Sequence, residues 1–315
     1  MSARKRARGA VAARKSGPYV GSLNCDKEAR SMAMFVCSVR VGSRVLATAL
    51  GLGVVGSPAW AQSETVPLAA HRAIYDLKLS KSQGKQSLQA VRGRIVYDFS
   101  GSACEGYGLQ FRQVTELDNG EGKSAVSDLR STTWEEGSAK SFRFNSQNYL
   151  NDELVDTVDG EADRRSSGVT VKLTKPEGKQ FEAGSVSFPT EQMRGILLAA
   201  RGGRSLLDLG IYDGSENGQK IYQSLTVIGR KIPAEEHKPS DATASQAALD
   251  HMDRWPVTIS YFDKSDKGGE QTPSYTISFE LYNNGISRAL VLDYGDFAVS
   301  GEMTSLELKN TKPCH

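Results

Sequence analysis

Nucleophilic attack by serine needs a histidine base steadied by a carboxylate. The one local grouping of that kind is His251 with Asp253, inside Asp250-His251-Met252-Asp253. The serines offer it no partner, because Gly-x-Ser-x-Gly, the turn that exposes a nucleophile, does not occur. The tetrapeptide reads instead as the end of a short helix, and no catalytic residue is expected. A second candidate is the acidic run Asp152, Glu153, Asp156, Asp159, Glu161 and Asp163. Calcium loops space their ligands as Asp-x-Asp-x-Asp-Gly. Here Leu154, Val155 and Val158 interrupt the polar residues, the pattern of a strand with one solvated face. Third, Asp213-Gly214-Ser215 and Glu216-Asn217-Gly218 make a glycine-rich loop. Phosphate cradling requires such a loop to lead into a helix. A strand follows it instead, so a hairpin loop is expected, with no metal and no cofactor.

The cysteines acquire meaning only after the N-terminal region is read. Arg40 and Arg44, the uncharged run from Val45 to Gly56, Ser57-Pro58 and Ala59-Trp60-Ala61 follow the order of a secretory signal peptide. Cleavage is expected between Ala61 and Gln62. The apolar run is shorter than the roughly 20 residues of a membrane span, so no transmembrane anchor is expected. Cys37 precedes that run, whereas a lipid-accepting cysteine must follow it. A signal starting at Met34 is already complete. The basic segment before it therefore reads as lying upstream of a true start at Met32 or Met34, rather than as a nucleic-acid-binding arm.

Loss of residues 1–61 removes ten of the 39 Lys and Arg side chains and two of the 37 Asp and Glu side chains, leaving 29 against 35. The basic character belongs to the leader, and nothing beyond it suggests the clustered basic surface that nucleic acid requires. Cys25 and Cys37 leave with the leader; Cys104 and Cys314 remain. In an oxidising compartment such a lone pair is expected to form one bridge. An intermolecular bridge, or two free thiols joined by His315 at a metal, are the alternatives. Metal sites favour ligands in close pairs, and no Cys-x-x-Cys exists.

The elements that would position these residues are strands. Apolar side chains alternate at 73, 75, 77 and 79, and in Ile95, Tyr97, Phe99; Tyr107, Leu109, Phe111; Phe142, Phe144; and Val169, Val171, Leu173. The habit returns in 257–261, 275–281 and 289–294. Such short alternating runs are half-buried antiparallel strands. Turn residues separate them: Asp118-Asn119-Gly120, Glu136-Gly137, Asp159-Gly160, Pro176-Glu177-Gly178, Asp213-Gly214, Asn217-Gly218, Lys267-Gly268-Gly269 and Asn283-Asn284-Gly285. One helix is expected after Pro189, with Thr190 as N-cap, Met193, Ile196, Leu197 and Ala200 on one face, and Gly202-Gly203 as its end. A weaker helix is expected from Ser245 to Met252, and an exposed loop from Pro233 to Ser240. Residues 62–315 are thus expected to form one continuous, curled sheet, with helices against its opening. Tyr75, Tyr97, Phe99 and Phe111 either fill the core or line a ligand cavity, since barrel interiors can hold apolar ligands.

The leader, the opening His71-Arg72-Ala73-Ile74-Tyr75-Asp76-Leu77, and the run from Tyr212-Asp213-Gly214-Ser215 through Gly218-Gln219-Lys220-Ile221-Tyr222 to Thr226-Val227-Ile228-Gly229 resemble the EipB family. These are cell-envelope integrity proteins of alphaproteobacteria. The resemblance implies a periplasmic, mainly β protein, a single antiparallel β-spiral forming an incompletely closed barrel with a few short helices. It also implies an internal disulfide, a role in stress resistance, and a periplasmic tetratricopeptide-repeat protein as partner. The likeness in shape to lipoprotein carriers makes a lipid ligand the alternative. No enzymatic activity comes with it.

Overall fold

The computed structural model describes residues 66–83, 88–120, 122, 124–236, 249–264 and 272–311. Fourteen strands are present among them. In chain order they are β1 (His71–Ser82), β2 (Ala90–Ser102), β3 (Gly106–Asp118), β4 (Ser124–Glu135), β5 (Ser141–Leu150), β6 (Glu153–Arg165), β7 (Gly168–Lys175) and β8 (Lys179–Gly184). After the helix α1 (Pro189–Arg201) come β9 (Leu206–Ile211), β10 (Tyr222–Ile228), β11 (Arg254–Asp263), β12 (Tyr275–Tyr282), β13 (Ser287–Asp293) and β14 (Phe297–Leu308).

All fourteen belong to one sheet, in the order β8-β7-β6-β5-β4-β3-β2-β1-β14-β13-β12-β11-β10-β9. The first strand therefore lies mid-sheet, with His71 opposite both Phe99 of β2 and Leu308 of β14. Two antiparallel meanders run outward from it and end at β8 and β9, which are successive in the chain. The sheet does not close into a barrel. Among the described residues, its two ends share backbone hydrogen bonds only at Ser187, whose N–H donates to the Gly210 carbonyl at 2.7 Å and whose carbonyl accepts the Tyr212 N–H at 3.0 Å. That single parallel bridge, Ser187 to Ile211, stands where a barrel would have a ladder.

Alternation decides which face is inside. Ala73, Tyr75 and Leu77 are buried, while Arg72 and Lys78 are exposed. Inward side chains gather in three clusters. One holds β1, β2 and β12–β14, through Ala73, Ile95, Tyr282 and Met303. A second holds β5–β7 with Phe188 and Tyr212. The third is built on α1, whose Ile196, Leu197, Ala199 and Ala200 pack with Phe99, Tyr107, Ile211, Tyr222, Ile259 and Leu281. Each fully buried Ile or Leu there contributes about 1.5–3 kcal/mol of apolar transfer.

Several local expectations are corrected. The N-cap is Phe188, one residue before Pro189, and not Thr190. Proline at the first helical position sets the start, and the cap donors find a partner on another strand, described below. One α-helix occurs among the described residues. Of the expected helix from Ser245 to Met252, residues 245–248 lie outside the described ones, and 249–251 form a turn. Asp159-Gly160 is not a turn but lies inside β6, where a register shift between the two absorbs it as a bulge. Pro233–Glu236 run as the start of a loop; 237–240 and Lys267-Gly268-Gly269 lie outside the described residues.

Candidate functional site

The concave face of an open sheet is where this architecture can hold or present something, and α1 occupies it. The helix crosses from β4 to the β12–β13 turn and is tied at both ends. Its first free N–H groups, those of Thr190 and Glu191, donate at 2.7 and 2.8 Å to the two carboxylate oxygens of Glu135, the last residue of β4. Glu191 in turn accepts the Phe188 N–H at 3.2 Å and the Arg164 guanidinium of β6 at 2.6 Å. Arg164 also donates to the Ala139 carbonyl, and Arg194 to that of Gly137, at 2.9 and 2.8 Å. At the far end, Arg201 donates to the side chain and carbonyl of Asn283 at 2.7 and 3.0 Å.

Glu135 is 3% exposed. Burial pushes its carboxyl up to about 7, against the opposing pull of the Thr190 and Glu191 amides. A buried acid at a helix N-terminus is favoured by the helix dipole and disfavoured by dehydration. Here dehydration wins.

The gap between the sheet ends is covered by the loop from β9 to β10. Gly214 and Gly218 have φ of +70° and +75°. A Cβ on Gly214 would lie 2.5 Å from the Phe144 ring of β5, and one on Gly218 2.7 Å from Val158 of β6. Only glycine combines that left-handed backbone with so close an approach. The Tyr212 hydroxyl donates to the Gly218 carbonyl and that of Tyr222 to Glu216, both at 2.7 Å. Lys220 ties the loop to Asp263 of β11 at 2.7 Å and to Glu216 at 3.2 Å. The hairpin reading of this segment is right, and its glycines serve docking against β5 and β6.

Beneath the loop lies a tyrosine group. Tyr261 and Tyr275 stack at 4.6 Å, with Tyr222 edge-on to both. The Tyr261 hydroxyl donates to Gln192 of α1 at 3.2 Å, and Gln192 donates to Ser224 at 3.3 Å. Burial raises the Asp213 carboxyl and the Tyr222, Tyr261 and Tyr275 phenols above their ordinary ranges. Burial thus favours the neutral form of these groups.

The aromatic residues expected to line a cavity divide. Tyr75 and Phe99 are buried in packed clusters, and the Tyr75 hydroxyl donates to the Ser287 carbonyl at 2.7 Å. Tyr97 stacks between His71 and Phe99, where burial pushes its phenol up to about 12. His71 itself is buried, with its pKa lowered by that burial, and Nδ1 lies 2.7 Å from the Ala69 carbonyl. Phe111 is half-buried. Its row on the inner face continues through Ser131 and Ser146, and the next row holds Gln113, Leu129 and Asn148. All of these are half-buried, as are Ile277, Leu290 and Leu292 across the interior. This is the open part of the concave face, of mixed apolar and amide-hydroxyl character.

The remaining sequence candidates do not converge. His251 sits in an exposed turn, and Asp253 is bound to Lys231 at 3.0 Å. The acidic run is spread along β6: Asp159 takes Asn145 and Thr174, and Glu161 takes Lys172. Among the described residues no three His, Cys, Asp or Glu side chains gather as metal ligands, and no helix is long and apolar enough to cross a membrane. Cys104 is exposed in the β2–β3 turn. Cys314, Ala61, Gln62, His237 and His315 lie outside the described residues. Sequence reasoning missed Glu135, Arg164 and Gln192. Nothing local separates Glu135 from Glu136 beside it; only the fold brings it to the helix.

Residues 62–310 match the sequence model of a family described as EipB-like. A curated relative, the cell envelope integrity protein EipB of Brucella abortus, is 36% identical over 249 residues, covering 79% of this chain and 87% of the relative. A solved crystal structure, titled as a beta-barrel-like protein of domain of unknown function DUF1849 from Brucella abortus, is similar with a TM-score of 0.72 at 35% identity. The match covers 78% of this chain and 100% of that one.

Proposed function

Because the chain belongs to the EipB-like family, we propose that it is a non-enzymatic periplasmic protein that supports cell-envelope integrity by binding another protein. The observation that carries this is the occupancy of the concave face. The protein's own helix, with Ile196, Leu197 and the tyrosine group, fills the region where a carrier would hold cargo. Several large aliphatic side chains stand exposed on the outside instead. A periplasmic tetratricopeptide-repeat protein is the partner we propose, with a contribution to stress resistance.

Export and the disulfide belong to the same reading. The family match begins at Gln62, the residue after the expected cleavage point. The C-terminal strand lies against β1, the Lys309 N–H donates to the Ala70 carbonyl at 2.8 Å, and the Lys309 ammonium pairs with Asp98 of β2. The end of β14 thus lies beside β2, the strand that leads into the turn carrying Cys104, which supports a Cys104–Cys314 bridge. A second reading has a specific observation behind it. The half-buried Phe111, Leu129, Ile277, Leu290 and Leu292 on the inner face would suit an acyl chain, as in a lipid or lipoprotein carrier.

Binding of the purified mature protein to the purified repeat protein, together with mass spectrometry of co-purifying lipid, tests the two. A lipid-free protein that binds the repeat protein supports the first reading. Stoichiometric bound lipid without such binding replaces it with the second.

A further inference from the structure

Hairpin tips in water are normally polar, since turn residues gain nothing from burial they do not have. The β5–β6 tip departs from that rule. Leu150, Leu154 and Val155 are 43%, 51% and 54% exposed, and Val126 of β4, 37% exposed, stands beside them. Register sorts them by face: Leu154 opposes Tyr149 on the face that also carries Val126, Leu150 opposes Ser127 and Glu153 on the other, and Asn151 locks Val126 in place. The Asn151 N–H donates to the Val126 carbonyl at 2.8 Å, and its side-chain oxygen accepts the Val126 N–H at 2.9 Å. Asn151 and Asp152 have φ of 50° and 66°, the twisted two-residue turn that suits a right-handed hairpin. The apolar tip is therefore held in one shape.

Charge then restricts what it can meet. Asp152 and Glu153 are exposed at the turn, and Asp156 lies one residue beyond Val155. On the adjoining strand β4, Arg130 is engaged by Asp128 at 2.6 Å and lies over the Tyr149 ring. The exposed Asp152 and Glu153 beside Val126, Leu154 and Val155 oppose insertion into an anionic lipid surface, which attracts basic segments. They suit a protein groove with an apolar floor and a basic rim, where rim charge sets encounter and register. We propose that the β5–β6 tip with Val126 is the surface by which this protein docks into such a groove. The proposal rests on the protein-binding reading above and supplies its surface.

The test uses the full mature protein and the purified periplasmic tetratricopeptide-repeat protein as probe. Affinity is measured at low and at moderate salt for wild type, Leu154→Ser/Val155→Thr and Asp152→Lys/Glu153→Lys. Melting curves establish that each variant is folded. At least tenfold weaker binding is expected for both variants, with the salt dependence reduced in the second. Wild-type affinity in both folded variants overturns the surface while leaving the protein-binding reading intact. No binding by wild type removes both. Self-association, or sedimentation with phosphatidylethanolamine–phosphatidylglycerol vesicles, that depends on the same residues without repeat-protein binding also overturns it.

Discussion

Replacing Glu135 by glutamine should change how stability depends on pH more than it changes stability at any one pH. The Glu135 carboxyl rises from an ordinary 4.5 to about 7 on folding. The folded protein therefore binds this proton more tightly than the unfolded chain. Its contribution to stability is fully present below pH 4.5 and is lost as pH rises through 7. At about 1.4 kcal/mol per tenfold, the loss comes to about 3 kcal/mol between those limits. Dehydration is the cause, partly offset by the Thr190 and Glu191 amides, while Glu191 adds to the rise by repulsion. Glutamine keeps one acceptor, leaves one helix N–H unpaired at a cost of about 1–3 kcal/mol, and does not titrate. Urea unfolding of wild type and Glu135→Gln at intervals from pH 4.5 to 8 isolates the effect, because other titrations cancel in the difference. The wild-type advantage should shrink by about 3 kcal/mol across that window. A difference that is constant with pH would show that the carboxylate is not dehydrated when folded, and the reasoning would fail.

Gly214→Ala must adopt a left-handed backbone and press a methyl group into the Phe144 ring; a loss of about 2–4 kcal/mol is expected, read as a lower melting temperature. Leu197→Ala empties a site with no exposure between α1 and the sheet, and should cost about 2–5 kcal/mol by chemical denaturation. Reduction of the proposed Cys104–Cys314 bridge should lower stability by up to about 5 kcal/mol, since it would close a very long loop. Alkylation gels should show one intramolecular species without dimers, and full alkylation before reduction would exclude the bridge.

Much of the sheet was legible because a half-buried strand writes its inside and outside in alternate residues. Ala73 to Leu77, Phe142 with Phe144, and Val169 to Leu173 are inward where the pattern placed them. The helix was legible through Pro189 and its apolar face, but its cap was not. The group that satisfies its first N–H groups is Glu135, more than fifty residues earlier, and no local signal marks that partnership. Asp159-Gly160 misled for the opposite reason: a turn-forming pair is also what a bulge in a long strand uses. The glycines at 214 and 218 were read correctly as a hairpin loop, yet their need for a missing Cβ lies in Phe144 and Val158, which only tertiary structure brings near.

An open sheet has two edges to manage, and unpaired edges invite association. Here both edges, β8 and β9, are successive strands of the chain, so connectivity brings the element joining them to the gap. Helix α1 is that element. Its burial links the two meanders a second time: Glu135 and Arg164 hold it from the β4–β6 side, Asn283 from the β12–β13 turn, and Tyr261 from the tyrosine group. The β9–β10 loop closes the same gap from above by seating Tyr212 against Phe144. The part of the concave face at the gap is consequently covered by the helix and this loop. A protein that used the region under α1 for cargo would have to break the Glu135 and Arg201 ties first. One that works by docking would keep them and use the rigid body they create to hold the β5–β6 tip in place.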